Sequence, residues 1–418
     1  MINIAIIGYG TVGSGVVEVI ETNGALINQR TGDEIQVKYV LDLRDFPGDP
    51  IQEKIIHDFE TIVNDPEIKI VVEVMGGIEP AYTFAKRSLL AGKSVVTSNK
   101  ALVADHGAEL LSIAQEHQVN FLFEASVGGG IPIIRALNTS ITADEIEEII
   151  GILNGTTNYM LTKMFKEGAD YNEVLKEAQA LGYAERDPSA DVEGYDSCRK
   201  IAILSSLMSG QQVNFNDIHT EGITKISTED ILYAKEMRMT LKLLACARRD
   251  IVTKAIPHFE EGEDHIHAAV APYLLYEDHP LFHVDGVFNA VFVKGNVLGD
   301  AMFYGSGAGK LPTASAVVAD VVDASKHLHT SVMTMWHPDE VHLYPLSHTK
   351  KRYFVRIKGK VDALRNHLES AFAGPIEIIE VPELQGEFGF KTSILSEGKF
   401  YETCKEFPAI ISSYRIAD

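Results

Sequence analysis

Cysteine is scarce: the chain has three in 418 residues, at positions 198, 246 and 404, far apart and without CxxC spacing. That excludes a disulfide framework and a cysteine-based zinc site, and it fits a reducing cytoplasm. Long apolar runs are missing as well. None approaches the ~20 residues that cross a bilayer, and MINIAIIGYG lacks the basic stretch and cleavage site of an export signal. Positive charge is in deficit, with 37 Lys plus Arg against 59 Asp plus Glu and a formal net charge of -22. Binding to nucleic acid or to an anionic membrane is therefore not expected. The 15 histidines suggest no metal-ligand set, and neither a GxSxG elbow nor a Ser-His-Asp order appears. His265 and His267, on an expected strand, read as surface residues rather than metal ligands. What remains is a cytoplasmic protein acting on small molecules, and 45% hydrophobic residues suffice for two or three cores.

The apolar run Ile2 to Ile7 leads directly into Gly8-Tyr9-Gly10-Thr11-Val12-Gly13, and a helical pattern with Val16, Val17, Val19 and Ile20 follows. In that strand-turn-helix context GxGxxG has a mechanism. The first Gly makes the tight turn, the second admits a pyrophosphate to the backbone, and the third lets helix and sheet pack closely. Strand-like runs at 37–41, 70–74, 94–97 and 120–123 alternate with helical stretches such as 82–91. This α/β alternation predicts a Rossmann-type doubly wound parallel sheet over residues 1–130. The second strand ends in Asp42-Leu43-Arg44-Asp45, where an acidic residue would select the ribose hydroxyl of NAD and Arg44 the 2'-phosphate of NADP. Both types are present, so the choice stays open. Thr97-Ser98-Asn99-Lys100 follows another strand, which makes Lys100 either a site cation or a surface lysine. Glu124-Ala-Ser-Val127-Gly-Gly129-Gly-Ile131 reads equally as a domain crossing or as an oxygen-rich cation site.

From residue 131 to 305 the pattern becomes α+β. A buried strand at 149–153 runs into Asn154-Gly155-Thr156-Thr157, and a helix is expected over 171–181, with Asn172 as N-cap and Gly182 as its stop. The stretch ALGYAERDPSADVEGYDSCRK then crowds Glu185, Asp187, Asp191, Glu193 and Asp196 around Lys200. Pro188 predicts a loop over 185–191, and a helix with an apolar stripe should follow Gly194. Asp196 and Lys200 are i and i+4 on that helix: either an exposed pair or, given the apolar residues after Lys200, a lysine poised for proton exchange. Strands are expected at 265–275 and 286–293. Phe303-Tyr-Gly305-Ser-Gly-Ala-Gly-Lys310 fails as a Walker A loop because Tyr304 and Leu311 break the pattern. It leaves a glycine loop before a helix starting at Pro312, which is expected over about 311–330 to return to the cofactor domain. A small α+β domain should occupy 350–418.

Together these features resemble the homoserine dehydrogenase family over essentially the whole chain, and Ala178, Gly182, Asp187-Pro188, Asp191, Gly194, Asp196 and Lys200 match its signature. The resemblance implies reversible NAD- or NADP-dependent hydride transfer between L-homoserine and L-aspartate 4-semialdehyde, in threonine and methionine biosynthesis. It implies Lys200, Asp196 and Lys100 as catalytic residues, and Glu185, Asp191, Tyr183, Gly155 and Thr156 at the substrate. For the cofactor it implies the turn from Gly8 to Gly13, Arg44, Thr97, Ser98, Lys100 and Gly305. Glu124 with the carbonyls of Val127, Gly129 and Ile131 would hold a structural sodium ion. The family also implies a homodimer or higher homo-oligomer and an ACT-like C-terminal domain, although Lys358-Gly-Lys-Val-Asp-Ala replaces the customary Asp-x-x-Gly turn. Two rivals stand beside it: an aspartate-semialdehyde dehydrogenase using Cys198 as nucleophile, and a nonenzymatic NAD-binding amino-acid sensor.

Overall fold

The computed structural model describes residues 1–252, 255–333 and 336–417, so Asp418, the last residue of the expected C-terminal domain, lies outside them. The N-terminal sheet is built from β1 (Ile2–Ile7), β2 (Ile35–Leu41), β3 (Ile55–Ile56), β4 (Ile68–Glu73), β5 (Ser94–Thr97) and β6 (Phe121–Leu122). Its order is β3-β2-β1-β4-β5-β6, with every neighbouring pair parallel. β1 and β4 are nearly continuous apolar runs because helices cover both faces of such a sheet. The strand order reverses between β1 and β4, which opens a crevice at their carboxyl ends.

The helix expected to return to this domain does so, spanning Lys310–Lys326 and packing on Thr11–Thr31. A Cβ at Gly15 would stand 2.9 Å from the Lys310 carbonyl oxygen, so glycine is what lets the two helices approach. The helix begins at Lys310 rather than at Pro312. Pro312 lies in its first turn, where a missing N–H leaves no internal bond unmade.

Among the described residues, a second, mixed sheet has 11 strands. From one edge it runs Gly299–Ser306, Phe288–Gly295, Ile146–Ile152, Met239–Ile251 and Asp264–Tyr276. Strand Ile410–Ala417 then pairs parallel with Asp264–Tyr276 and antiparallel with Lys350–Lys358, so the C-terminal elements continue the same sheet. They also have a core of their own, including Tyr353, Phe372, Phe388, Phe390 and Phe400. Arg415 is buried at the seam and donates to Glu397 at 2.5 Å and Glu221 at 2.9 Å.

Three local expectations need correction. Asp170, not Asn172, caps the helix Tyr171–Ala180, because its carboxylate accepts from the Asn172 N–H at 2.8 Å. The segment 185–191 is not all loop: a one-turn helix, Ser189–Val192, starts right after Pro188. His265 and His267 are buried rather than superficial, since the segment carrying Tyr344 lies over their strand with its ring 3.8 Å from His265. Burial pushes the His267 imidazole down to about 3.

Candidate active site

The turn after β1 has the geometry its glycines require. Gly8 sits at φ +98°, and a Cβ at Gly13 would lie 2.0 Å from the Gly8 carbonyl oxygen. Gly10, by contrast, has open space where a Cβ would be. A helix start with free N–H groups and room above Gly10 fits a dinucleotide pyrophosphate. Thr11 and Val12 open the helix itself. The Tyr9 ring is buried edge-on against Phe46, while its N–H donates to Asp42 at 2.8 Å.

Asp42 is thus at the crevice, but its carboxylate is already occupied. It also accepts from the Arg44 N–H, Nε and Nη2, each at 3.0 Å. The Arg44 guanidinium, chiefly through that side-chain hydrogen bond, holds the Asp42 carboxyl well below the usual carboxylate range. The Arg44 side chain itself remains 62% exposed. At the end of β5, Thr97 turns inward: its hydroxyl donates to buried Glu73 at 2.5 Å and accepts from the Asn99 N–H. Burial raises Glu73 to about 7. Asn99 in turn caps the helix Lys100–Glu116, which fixes where Lys100 starts.

Across the crevice stands the helix Tyr195–Ser209, preceded by Gly194 at φ +85°. Its Asp196 and Lys200 meet at 2.7 Å, as the spacing requires, but as a buried pair rather than an exposed one. The long-range contact is with Lys100, whose Nζ lies 2.7 Å from the other Asp196 oxygen. One carboxylate therefore joins two lysines from opposite sides of the crevice. Burial alone would raise the Asp196 carboxyl; the Lys200 and Lys100 ammonium groups outweigh that and hold it far below its ordinary value. Lys200 also donates to the Leu153 carbonyl at 2.7 Å.

Asn154 is the residue that sequence reasoning underused. Its amide donates to Asp191 at 2.7 Å and Asp196 at 2.9 Å, while its carbonyl oxygen caps the helix Gly155–Glu167. Burial raises the Asp191 carboxyl, the Asn154 bond opposes that rise, and Asp196 adds to it. The Thr156 hydroxyl donates to the Tyr183 carbonyl at 2.6 Å, which ties the acidic loop to this helix start.

Lys100, Asp196, Lys200, Asp191, Glu185 and Tyr183 line one cavity of about 510 Å³, together with Gly155 and Thr156. Ser98 and Gly129 also reach it, as do Ser306, Gly307 and Thr313, none of which was singled out. Thr97, Val127, Ile131 and Gly305 do not line it, and neither do Arg44, Glu124 or the turn from Gly8 to Gly13. Glu124 is buried, with its carboxylate accepting from the Ile134 N–H at 2.9 Å and the Arg135 N–H at 2.7 Å. The backbone then turns tightly through Gly128 and Gly129, both at positive φ. Carboxylate and carbonyl oxygens are the donor chemistry of a hard cation. Cys198 is wrong for a nucleophile: burial raises its thiol, which donates to the Phe215 carbonyl, and it does not line the cavity.

Two family models match the chain, "Homoserine dehydrogenase, NAD binding domain" over residues 8–124 and "Homoserine dehydrogenase" over residues 132–322. The chain belongs to the homoserine dehydrogenase family. A homoserine dehydrogenase from Synechocystis sp. is 39% identical over 98% of this chain and 99% of its own. One from Bacillus subtilis is 42% identical over 79% of this chain and 74% of its own. Among solved structures, a homoserine dehydrogenase from Thiobacillus denitrificans superposes with TM-score 0.89 at 35% identity, covering 100% of this chain and 98% of that one. A hyperthermophilic archaeal homoserine dehydrogenase in complex with NADPH reaches TM-score 0.64 at 29% identity, over 78% of this chain and 97% of that one. The cavity of this chain lies between the start of the helix Lys100–Glu116 and the helix Tyr195–Ser209.

Proposed function

We propose that this chain is a homoserine dehydrogenase that interconverts L-homoserine and L-aspartate 4-semialdehyde with NAD(P), in threonine and methionine biosynthesis. The observation that carries the reading is Asp196 held between Lys100 and Lys200 at the wall of the cavity. Bound NAD(P) supplies the hydride acceptor. Lys200 takes the hydroxyl proton of homoserine, directly or through water, as C4 loses its hydride. To accept it Lys200 reacts as the neutral amine: two N–H groups stay on Asp196 and Leu153, the lone pair takes the hydroxyl proton, and the ammonium so formed returns that proton in the reverse reaction. Lys100 stabilises negative charge developing on that oxygen. Asp196 keeps both lysines in place, and Asn154 keeps Asp196 and Asp191 in place. Asp191 and Glu185 are the carboxylates available for the substrate ammonium. Gly155, Thr156 and Tyr183 complete the substrate side.

The Gly8–Gly13 turn, with Ser98 and Lys100, would hold the cofactor, and Thr97 and Gly305 would support its nicotinamide end from behind the wall. Asp42 is engaged by Tyr9 and Arg44 while Arg44 stays exposed, which favours a 2'-phosphate and hence NADP. Glu124 and the carbonyls of Val127, Gly129 and Ile131 would hold a sodium ion that braces the domain junction. The Glu124 carboxylate faces two N–H groups, so the carbonyls would carry most of the coordination. The domains are read as 1–130 with the returning helix, 131–305, and an ACT-like 350–418. A cytoplasmic homodimer or higher homo-oligomer completes the reading. The test is initial-rate reduction of NAD and of NADP by the purified protein with L-homoserine, with Lys200→Ala as control. Turnover that is lost in the control supports the assignment; no turnover by folded wild-type protein with either cofactor rejects it.

A further inference from the structure

Asn289 is fully buried on strand Phe288–Gly295, and neither its Nδ2 nor its Oδ1 has a hydrogen-bond partner among the described residues. A carboxamide has two donors and an acceptor oxygen, and native interiors pair nearly all such groups because an unpaired one forfeits its hydration. Its surroundings say where partners would come from. A Cβ on Gly307 would fall 2.0 Å from the Asn289 Nδ2, so the carboxamide lies directly beneath the Gly307 backbone. On its other side, a Cβ on Gly155 would lie 3.6 Å from the Oδ1. Gly307 and Gly155 both line the catalytic cavity, one on each wall. Asn289 is therefore wedged behind the site, between the substrate-side helix start and the glycine segment Gly305–Gly309.

That segment is the link from strand Gly299–Ser306 to the helix that packs in the cofactor domain. It is braced from outside by the Gly130 N–H, which donates to the Ser306 carbonyl at 3.1 Å. Small peptide rotations in a glycine-rich link are inexpensive, because no side chain opposes them.

We propose that Asn289 is a positioning residue: its carboxamide forms hydrogen bonds with the Ser306–Ala308 backbone when cofactor and substrate fill the cavity, fixing that wall in its working shape. This rests on the dehydrogenase reading, and wild-type turnover of L-homoserine is the control that separates the two. Asn289→Leu, which has the same branching but bulkier methyl groups in place of the amide N and O, and Asn289→Ala are measured by thermal unfolding with and without NADP plus L-homoserine, and by kcat and KM. In the ligand-free protein, at least one of the two variants should melt at or near wild type, since the polar group removed has no partner to lose. With ligands, the melting temperature of each variant should rise less than that of wild type, and kcat/KM should fall by about tenfold or more in both. Kinetics within about twofold of wild type would overturn the proposal. So would a clear loss of ligand-free stability in both variants, or failure of both to fold, because the carboxamide would then already be supporting the ligand-free structure.

Discussion

Replacing Asp196 by Asn keeps the shape of the side chain and removes the charge that two lysines share. The amide would also turn an NH2 group toward one ammonium. Removing one partner of a buried pair typically costs about 3–5 kcal/mol. Lys200, buried and bonded at 2.7 Å, carries most of that. Lys100 is 41% exposed, and solvent screening reduces its share to below about 1 kcal/mol. The first urea-unfolding transition at pH 7 should therefore show a loss of about 3–5 kcal/mol for Asp196→Asn. The pH dependence follows from the sign of the shift. The folded carboxyl is held below its unfolded value of about 3.9, so its stabilisation is fully present above that value and is lost only as pH falls through the lower, folded one. The wild-type-minus-variant difference should thus stay level from pH 8 to about 5 and shrink only below about 4. A difference under about 1 kcal/mol at pH 7, or one that declines between pH 7 and about 5, would refute the clamp.

Removing Arg44 should free Asp42 for a ribose hydroxyl: Arg44→Ala is expected to raise KM for NADP about tenfold or more while leaving NAD unchanged or improved, and equal losses would reject the assignment. Gly13→Ala should abolish cofactor binding or folding of the N-terminal sheet, because the new methyl would sit 2.0 Å from the Gly8 oxygen; ordinary NADP affinity in the variant would contradict that. Arg415→Met leaves the buried Glu397 without its cation, and the partly exposed Glu221 without one of its partners, so the variant should lose about 3–5 kcal/mol at the C-terminal seam. Limited proteolysis releasing a C-terminal fragment faster than in wild type is the expected readout, and unchanged cleavage would argue against it.

Much of this architecture is legible locally. The glycine turn after an apolar strand, the i and i+4 placement of Asp196 and Lys200, and the stop at Gly182 all depend on spacing that the backbone enforces within a few residues. What spacing does not contain is contact across the fold. Lys100 reads as an even choice between site and surface until the N-terminal sheet is set against the helix Tyr195–Ser209. Asn154 looks like a cap, and is one, but its second task of holding Asp191 and Asp196 depends on a loop some forty residues on. His265 and His267 look superficial because strand alternation cannot reveal that a later segment, with Tyr344, covers them. The joining of the C-terminal strands to the middle sheet is likewise a pairing of distant segments. Asn289 carries no local signal at all, being one polar residue in a strand.

Chemical rescue addresses the proposed proton acceptor most directly. Lys200→Ala leaves a space beside Asp196 that a small primary amine can enter. Turnover of L-homoserine with NADP by this variant should fall by about 10²–10⁴ and recover in proportion to added methylamine or ethylamine. Wild-type turnover by Lys200→Ala without any amine would show that the proton leaves by another group, and would contradict the role given to Lys200.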